Sequence, residues 1–300
     1  MVGDDATADH YHDPMSERLL GLAADVLRSF GSAFGGRHLA LVGGAAPSLL
    51  VDHVPTGIDA HVGTADLDFH LSLHLLDGET ADYYQAIIDG LRDLGLRADL
   101  VDGRPVKWRW LGTHRGVHLQ VEFLCPVRTR GGRPESPAVN TPAEANIGPS
   151  GQITALAVGY GHLVPTDTVL VERRVETSRG LLSYEFPVAG LTSWLCLKAD
   201  AIMRRNKPKD AYDVVWVIAA LGPHAAASLV MESPLLSGDF ATEVRAQLRR
   251  LREQFETTDA VGPRSYADFL QQPGPATARR FAVGTLERFW SELGDSIGSL

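Results

Sequence analysis

Asp66 and Asp68 are the residues of this chain whose type and spacing point most directly to chemistry. They stand in Gly63-Thr64-Ala65-Asp66-Leu67-Asp68, some twenty positions after Leu41-Val42-Gly43-Gly44. From Leu67 to Leu73 the apolar Leu67, Phe69, Leu71 and Leu73 alternate with Asp66, Asp68, His70 and Ser72. Side chains on a strand alternate between faces, so Asp66 and Asp68 point the same way. Two carboxylates held side by side repel unless something positive sits between them. A divalent cation is the usual solution, and hard oxygen ligands suit Mg2+. The plain alternative is a solvated polar face on an edge strand.

Glu122 is the next candidate. It lies on a second alternating segment, where Val117, Leu119, Val121 and Phe123 share one face and His118, Gln120 and Glu122 the other. If that strand runs beside the first, the three carboxylates converge. Three carboxylates around two Mg2+ ions roughly 4 Å apart form a phosphoryl-transfer site. One ion would activate an attacking hydroxyl, and the other would hold a triphosphate and the leaving pyrophosphate.

A further group runs from Lys198 through Arg205 to Lys209-Asp210-Ala211-Tyr212-Asp213. Lys198 falls on the apolar stripe of its helix with Leu191, Trp194, Leu195 and Ile202, and Arg205 shares that face. A Lys there must either snorkel or meet an anion. Asp210 and Asp213 fall in the first turns of the next helix, where the helix dipole favours a carboxylate. Asp213, on the inward side near Val214 and Val217, needs a partner if buried; Lys198 or a substrate group can supply it. Weaker candidates are His70 and His74 as outer ligands, and Lys107-Trp108-Arg109-Trp110 as a stacking strip for nucleic acid. The Arg245, Arg249, Arg250 and Arg252 helix face reads as solvated or as an RNA contact.

The elements that must position these residues change character along the chain. Asp13-Pro14 opens a helix that Gly35-Gly36 closes. His38 to Val42 is a short buried strand, and Ala45 to Val51 a short helix. Glu79 to Leu94 reads as a helix; Leu96 to Val101, Val106 to Leu111 and Val117 to Leu124 read as strands. Thr129 to Gly151, rich in Gly, Pro, Ser and Asn, reads as a long loop. Weaker strands follow around Thr168 to Arg174 and Leu181 to Phe186. Helices are then expected at Leu191 to Arg205, Lys209 to Leu221, Asp239 to Gln254 and Thr277 to Leu293. The fold class is therefore α+β: a mixed sheet with flanking helices over 14–187, then a helical domain over 188–300.

Composition narrows the setting. The chain has 300 residues, 44% of them hydrophobic and 22% charged, as expected of a globular protein of one large or two modest domains. No apolar run approaches the ~18–20 residues that span a bilayer. Residues 1–13 are acidic and carry histidines without an apolar stretch, so they read as a disordered leader rather than a signal peptide. The two cysteines, Cys125 and Cys196, lack metal-ligand spacing and fit a reducing, cytoplasmic setting. A net charge of −9 argues against a general nucleic-acid binder but not against a local basic patch.

Taken together, Gly43-Gly44, Thr64-Ala65-Asp66-Leu67-Asp68, Val121-Glu122-Phe123 and Lys198…Arg205…Lys209-Asp210…Asp213 resemble the nucleotidyltransferase superfamily. More narrowly, they resemble its AbiEii/MenT-type toxins, across about Leu39 to Ile218. The resemblance implies a nucleotidyltransferase-type sheet domain of the DNA polymerase β-like fold. It implies transfer of a nucleoside monophosphate from an NTP, with Mg2+, to an acceptor hydroxyl. The favoured acceptor is the tRNA 3′ end, and a cognate antitoxin is the implied partner. Asp66, Asp68 and Glu122 would be metal ligands; Asp66, Asp68, Lys198 and Asp213 would be catalytic. Gly43, Gly44, Thr64, Lys198 and Arg205 would bind the nucleotide. Two positions depart from the family pattern: Val62 stands where Arg is frequent, with His61 beside it, and Gly44 replaces a frequent Ser. The rival readings are a small-molecule nucleotidyltransferase of the aminoglycoside-modifying kind and a non-catalytic binding or regulatory relative.

Overall fold

The computed structural model describes residues 14–29, 39–64, 66–71, 81–127, 129–130, 133–134, 144–147, 153–205, 207–271 and 274–294. The leader, Ala65, His74 and the starting residues of the helix expected from Glu79 lie outside them. Two compact units result: the described residues up to Leu49 together with Val62–Ala189, and Leu50–His61 together with the described residues from Gly190 onward. The sequence places the border near Pro187. The unit border falls after Ala189, and Leu50–His61, although it interrupts the sheet unit in sequence, groups with the helices.

The sheet unit is organised around strands β1 (Leu39–Val42), β2 (Asp66–Leu71), β3 (Arg97–Val101), β4 (Arg104–His114) and β5 (Val117–Pro126). The short strands β6 (Thr129–Arg130) and β7 (Arg133–Pro134) pair only with each other. β8 (Glu144–Ile147), β9 (Ile153–Val158), β10 (Thr168–Thr177) and β11 (Gly180–Ala189) complete the main sheet. Its order is β10-β11-β1-β2-β5-β4-β3, with β9 pairing to β5 and β8 to β9. β1 is buried along its whole length, as a central strand covered on both faces must be. Leu67 and Phe69 of β2 and Val121 and Phe123 of β5 are fully buried on one face. Phe69 and Phe123, register partners, stack at 6.3 Å. Helices α1 (Pro14–Ser29) and α3 (Ala81–Asp93) belong to the same unit, and α2 (Pro47–Leu50) is a single turn after β1.

The expected long loop contains strand structure. Residues 144–147 read as loop because Glu and Asn are poor strand formers, but pairing with β9 overrides that propensity. β9 itself has no counterpart in the sequence reading, since its run is short and follows Gly151 without a period-two pattern.

The helical unit holds α4 (Leu191–Arg204), α5 (Pro208–Leu221), α6 (Pro223–Met231), α7 (Ala241–Glu253), α8 (Val261–Leu270) and α9 (Pro275–Leu293). Proline opens α5, α6 and α9 in the first turn, where its missing N–H costs nothing. α6 and α8 were not expected: each is short, and neither begins with a capping side chain. Among the described residues no single helix is long and apolar enough to cross a membrane. Cys125 and Cys196 are buried and unbridged.

Since Phe123 fills the layer beneath the polar face of β5, Phe123→Ala should destabilise the protein by ~3–5 kcal/mol. Urea unfolding followed by tryptophan fluorescence checks this; a loss under about 1 kcal/mol would show that the layer repacks.

Candidate functional site

Strand register assembles the acidic face of the sheet unit. β2 and β5 are parallel neighbours, with Asp66 opposite Gln120 and Asp68 opposite Glu122. Register partners on adjacent strands share a face, so Asp68 and Glu122 stand side by side, opposite in direction to the buried phenylalanines. On the other flank β1 runs antiparallel to β2 and sets Val42 opposite Asp68. The chain leaves β1 at Gly43 with φ of 63°, and a Cβ there would overlap the Asp68 carboxylate. Only glycine meets both conditions, a left-handed backbone and a close approach. Gly44 follows, half-buried. Thr64 is buried, and its Oγ1 accepts the Asp66 N–H at 3.1 Å, turning the chain into β2. The side chain of His70 is not among those described.

Glu122 is the most perturbed member of this face. Arg109 Nε donates to its Oε1 at 2.8 Å and Gln120 Nε2 at 2.9 Å. Arg109 also reaches Asp99 at 3.5 Å and lies 4.6 Å from the centre of the Trp108 ring. Burial and then the Asp68 charge push the Glu122 carboxyl up to about 8; Arg109 opposes this and Asp66 adds to it. Neutral Glu122 thus relieves the crowding of like charges. Among the described residues no three His, Cys, Asp or Glu side chains form a group that could hold a metal ion. In donor chemistry the face fits a hard divalent cation: its ligands are carboxylate oxygens whose mutual repulsion a cation would offset. Its arrangement has Asp66 and Asp68 facing together while Glu122 Oε1 is held by Arg109 and Gln120.

The Lys107 to Trp110 segment is not a stacking strip. Trp108 and Trp110 are 8% and 4% exposed, and the Trp110 indole donates to the Lys107 carbonyl at 3.1 Å. Strand alternation puts both rings on the face of buried Val121, the register partner of Trp110. Arg109 as the partner of Glu122 was legible in principle. Arg115 and Gly116, both at positive φ, make a two-residue hairpin turn, and counting back equally from it sets Arg109 opposite Glu122.

In the helical unit, Lys198, Arg205, Lys209, Asp210 and Asp213 form one network. Lys198 Nζ donates to Asp210 Oδ1 at 2.8 Å and to Asp213 Oδ2 at 2.6 Å. Lys209 Nζ donates to Asp213 Oδ1 at 2.8 Å, and Arg205 forks onto both Asp210 oxygens at 2.8 and 2.9 Å. Lys198 is 4% exposed and Asp213 0%, whereas the Arg205 side chain is 52% exposed. Burial alone would raise both aspartates. The Lys198 charge, with Arg205 at Asp210 and Lys209 at Asp213, overcomes it and holds both carboxyls below the usual range. Lys198 is raised in turn, since the two carboxylates outweigh its burial.

The sequence reading missed the third partner of Asp213. His61 Nε2 lies 2.9 Å from Asp213 Oδ1, and its ring stacks on Tyr212 at 5.3 Å and meets Trp216 edge-on at 4.7 Å. No local pattern links residues 152 positions apart. Burial lowers the His61 pKa against the pull of Asp213, so the ring is neutral. Facing an ionised carboxylate, Nε2 must carry the proton.

The Glu122 shift has a signed consequence. An unfolded chain releases this proton near 4.5, the folded chain near 8, so folding takes up a proton between them. The associated stability is complete below about 4.5 and is lost as pH rises towards 8. In metal-free buffer, Glu122→Gln should flatten the fall in Tm over that range and unfold at higher temperature than the parent above it. Parallel Tm–pH curves for the two proteins would refute the assignment.

Residues 25–282 match the family described as nucleotidyl transferase AbiEii toxin, type IV toxin–antitoxin system. A search of curated proteins found no match. Among solved structures, the chain is similar to an antigenic nucleotidyltransferase-like protein from Paracoccidioides brasiliensis. That protein is 15% identical at a TM-score of 0.39, over 90% of this chain and 94% of that one. A second similarity is to the E. coli MS115-1 CdnC:HORMA-deltaN complex, 10% identical at a TM-score of 0.25, over 97% and 95% of the two chains. Neither score carries an argument, and the family match stands without them.

Proposed function

Since this chain belongs to the AbiEii nucleotidyl transferase toxin family, we propose that it transfers a nucleoside monophosphate from an NTP to the 3′-terminal hydroxyl of tRNA, releasing pyrophosphate. Family membership makes it a nucleotidyltransferase toxin of the type IV class, with an NTP substrate and an antitoxin partner. The observation that carries the site assignment is the register that sets Asp68 beside Glu122, with Asp66 on the same face.

Asp66 and Asp68 would hold Mg2+, with Glu122 as third ligand once its proton and its Arg109 bond are given up. The cation would supply charge neutralisation for the triphosphate and acidify the attacking hydroxyl. The Gly43–Gly44 turn would let the triphosphate approach the backbone where a side chain would block it. In the helical unit, three cations oppose two carboxylates around a neutral His61, which leaves one positive charge over. We assign that surplus to the phosphate groups. Lys198 has spent two of its three donors, and Arg205 is its exposed neighbour.

Incubating the protein with Mg2+, each labelled ribonucleoside triphosphate in turn and total RNA tests this reading. tRNA should be labelled with at least one of them, and Asp68→Ala should label nothing while unfolding no lower than the parent, since the change also relieves charge crowding. Absence of labelled RNA with all four, or transfer to an added aminoglycoside instead, would overturn the acceptor assignment. Undiminished transfer by Asp68→Ala would overturn the site.

The acceptor leaves a second signature. Arg250 is exposed and Arg249 half-buried on α7. RNA held through phosphates releases counterions on binding, so its modification should weaken steeply with salt. Arg249→Glu with Arg250→Glu should depress tRNA labelling and flatten that slope, while NTP binding by calorimetry stays within about twofold. A double variant that labels tRNA like the parent would remove α7 from the acceptor site.

A further inference from the structure

The end of α3 and the β3–β4 ladder border a cavity of about 610 Å³ that lies wholly within the sheet unit. The backbone builds it in two steps. Gly95, at φ of 80°, stops α3: its N–H donates to the Arg92 carbonyl at 2.8 Å, and the Leu96 N–H to the Leu91 carbonyl at 2.9 Å. This left-handed helix stop turns the chain straight into β3. Arg92 of the last helical turn and Arg97 at the start of β3 therefore line one cavity. The turn lies directly on β4, since a Cβ at Gly112 would stand 2.5 Å from the Gly95 carbonyl oxygen. Farther along, the ladder breaks. Ala98 pairs with Trp110 but Asp99 with Val106, so Lys107, Trp108 and Arg109 have no register partner on β3. The Trp110 indole spans this bulge by donating to the Lys107 carbonyl at 3.1 Å. Bulges re-aim side chains, and Lys107 joins the two arginines in lining the cavity.

We infer that this cavity binds the phosphate groups of a nucleotide, free or within an RNA chain, at a site that shares no residue with the acidic face. Three cations line it and, among the described residues, no carboxylate does. In a chain of net charge −9 such a lining is not what average composition supplies. Arg92 meets Asp89 at 3.5 Å, but both side chains are 56% exposed, and so exposed a pair is weak. The Arg97 side chain is exposed and has no ion pair among the described residues. Leu96 and Trp110, both buried, form an apolar wall with Pro105. The volume falls within the roughly 300–1,000 Å³ of small-molecule sites, enough for a nucleotide rather than a lone ion. Phosphate suits this cation set, because guanidiniums hold it through paired donors and an ammonium as a point charge.

Calorimetry with ATP in EDTA tests this. With metal chelated, the carboxylates of the acidic face repel a triphosphate, so binding there does not mask the cavity. ATP should bind, and Arg92→Gln with Arg97→Gln should weaken it about tenfold while leaving Tm unchanged. Arg174→Gln with Arg179→Gln removes the same charge from exposed positions of the β10–β11 hairpin and should keep affinity within about twofold. Hydrogen exchange locates the ligand: ATP should slow peptides covering 92–111 and leave those covering 39–50 and 66–71 at the ligand-free rate. A 5′-phosphorylated RNA octamer in place of ATP distinguishes the source of the phosphate. Octamer binding that the cavity variant weakens, without ATP binding, assigns the site to RNA; ATP binding alone assigns it to a free nucleotide; binding of both shows that phosphate is read in either. Binding of neither at millimolar ligand overturns the inference. So does an affinity that the hairpin variant lowers as much as the cavity variant, or protection that falls on 39–50 and 66–71 instead of 92–111. Failure of nucleotidyl transfer would overturn the function reading and leave this site standing, since no measurement here requires turnover.

Discussion

Repulsion between like charges is the constraint around which this protein is arranged. Parallel pairing of β2 and β5 sets Asp68 beside Glu122, and strand alternation adds Asp66 to the same face. No globular protein gains stability from such a cluster. In the folded chain the strain is relieved twice, by the proton that Glu122 retains and by the Arg109 guanidinium held between Asp99 and Trp108. Both are reversible, and under the proposed function both would be given up to a cation. A perturbed Glu122 beside Asp68 on one strand face is the kind of arrangement that the proposed metal-dependent transfer would use.

Around that constraint the backbone is fitted closely. Gly43 is required because β1 delivers the chain against the Asp68 carboxylate in a left-handed conformation. The face opposite the acids is closed by Leu67, Phe69, Val121 and Phe123, all fully buried, which prevents the strands from slipping. A slip of one residue would send the carboxylates into the apolar layer and the phenylalanines into water. The burial that holds the register thus also orients the acids.

Much of this was legible in the chain. The alternation at Asp66–Leu71 and Val117–Phe123 is strong because one face of each strand is apolar throughout. The Lys198 to Asp213 group could be read because helical spacing puts a cation on an apolar stripe, which forces a partner. Contacts that depend on distant pairing were hidden. His61 meets Asp213 across 152 positions, and Leu50–His61 joins the helices although it lies between two strands of the sheet. For Lys107 to Trp110 the plain-strand alternative to a stacking strip holds, because strand alternation, which composition does not reveal, puts Trp108 and Trp110 on a buried face. β8 was obscured by polar residues whose strand comes from its neighbour β9.

The helical unit presents the converse problem. A buried ion pair is weak grounds for stability, since apolar residues of the same volume would often serve as well. Here four buried charged side chains, the half-exposed Arg205 and a neutral imidazole share one cluster, in which three cations meet two carboxylates. Asp213 accepts from Lys198, Lys209 and His61, which leaves it rigid and ionised at any ordinary pH. Asp210 is held in the same way by Lys198 and the Arg205 fork. Two fixed anions therefore keep Lys198 charged despite its burial, and Arg205 carries the network out to solvent. Under the proposed function, an ammonium kept charged and immobile in this way would meet a phosphate oxygen with little reorganisation. The carboxylates of the helical unit and those of the sheet unit thus do opposite work: the first hold positive charge in place, and the second create a demand for it.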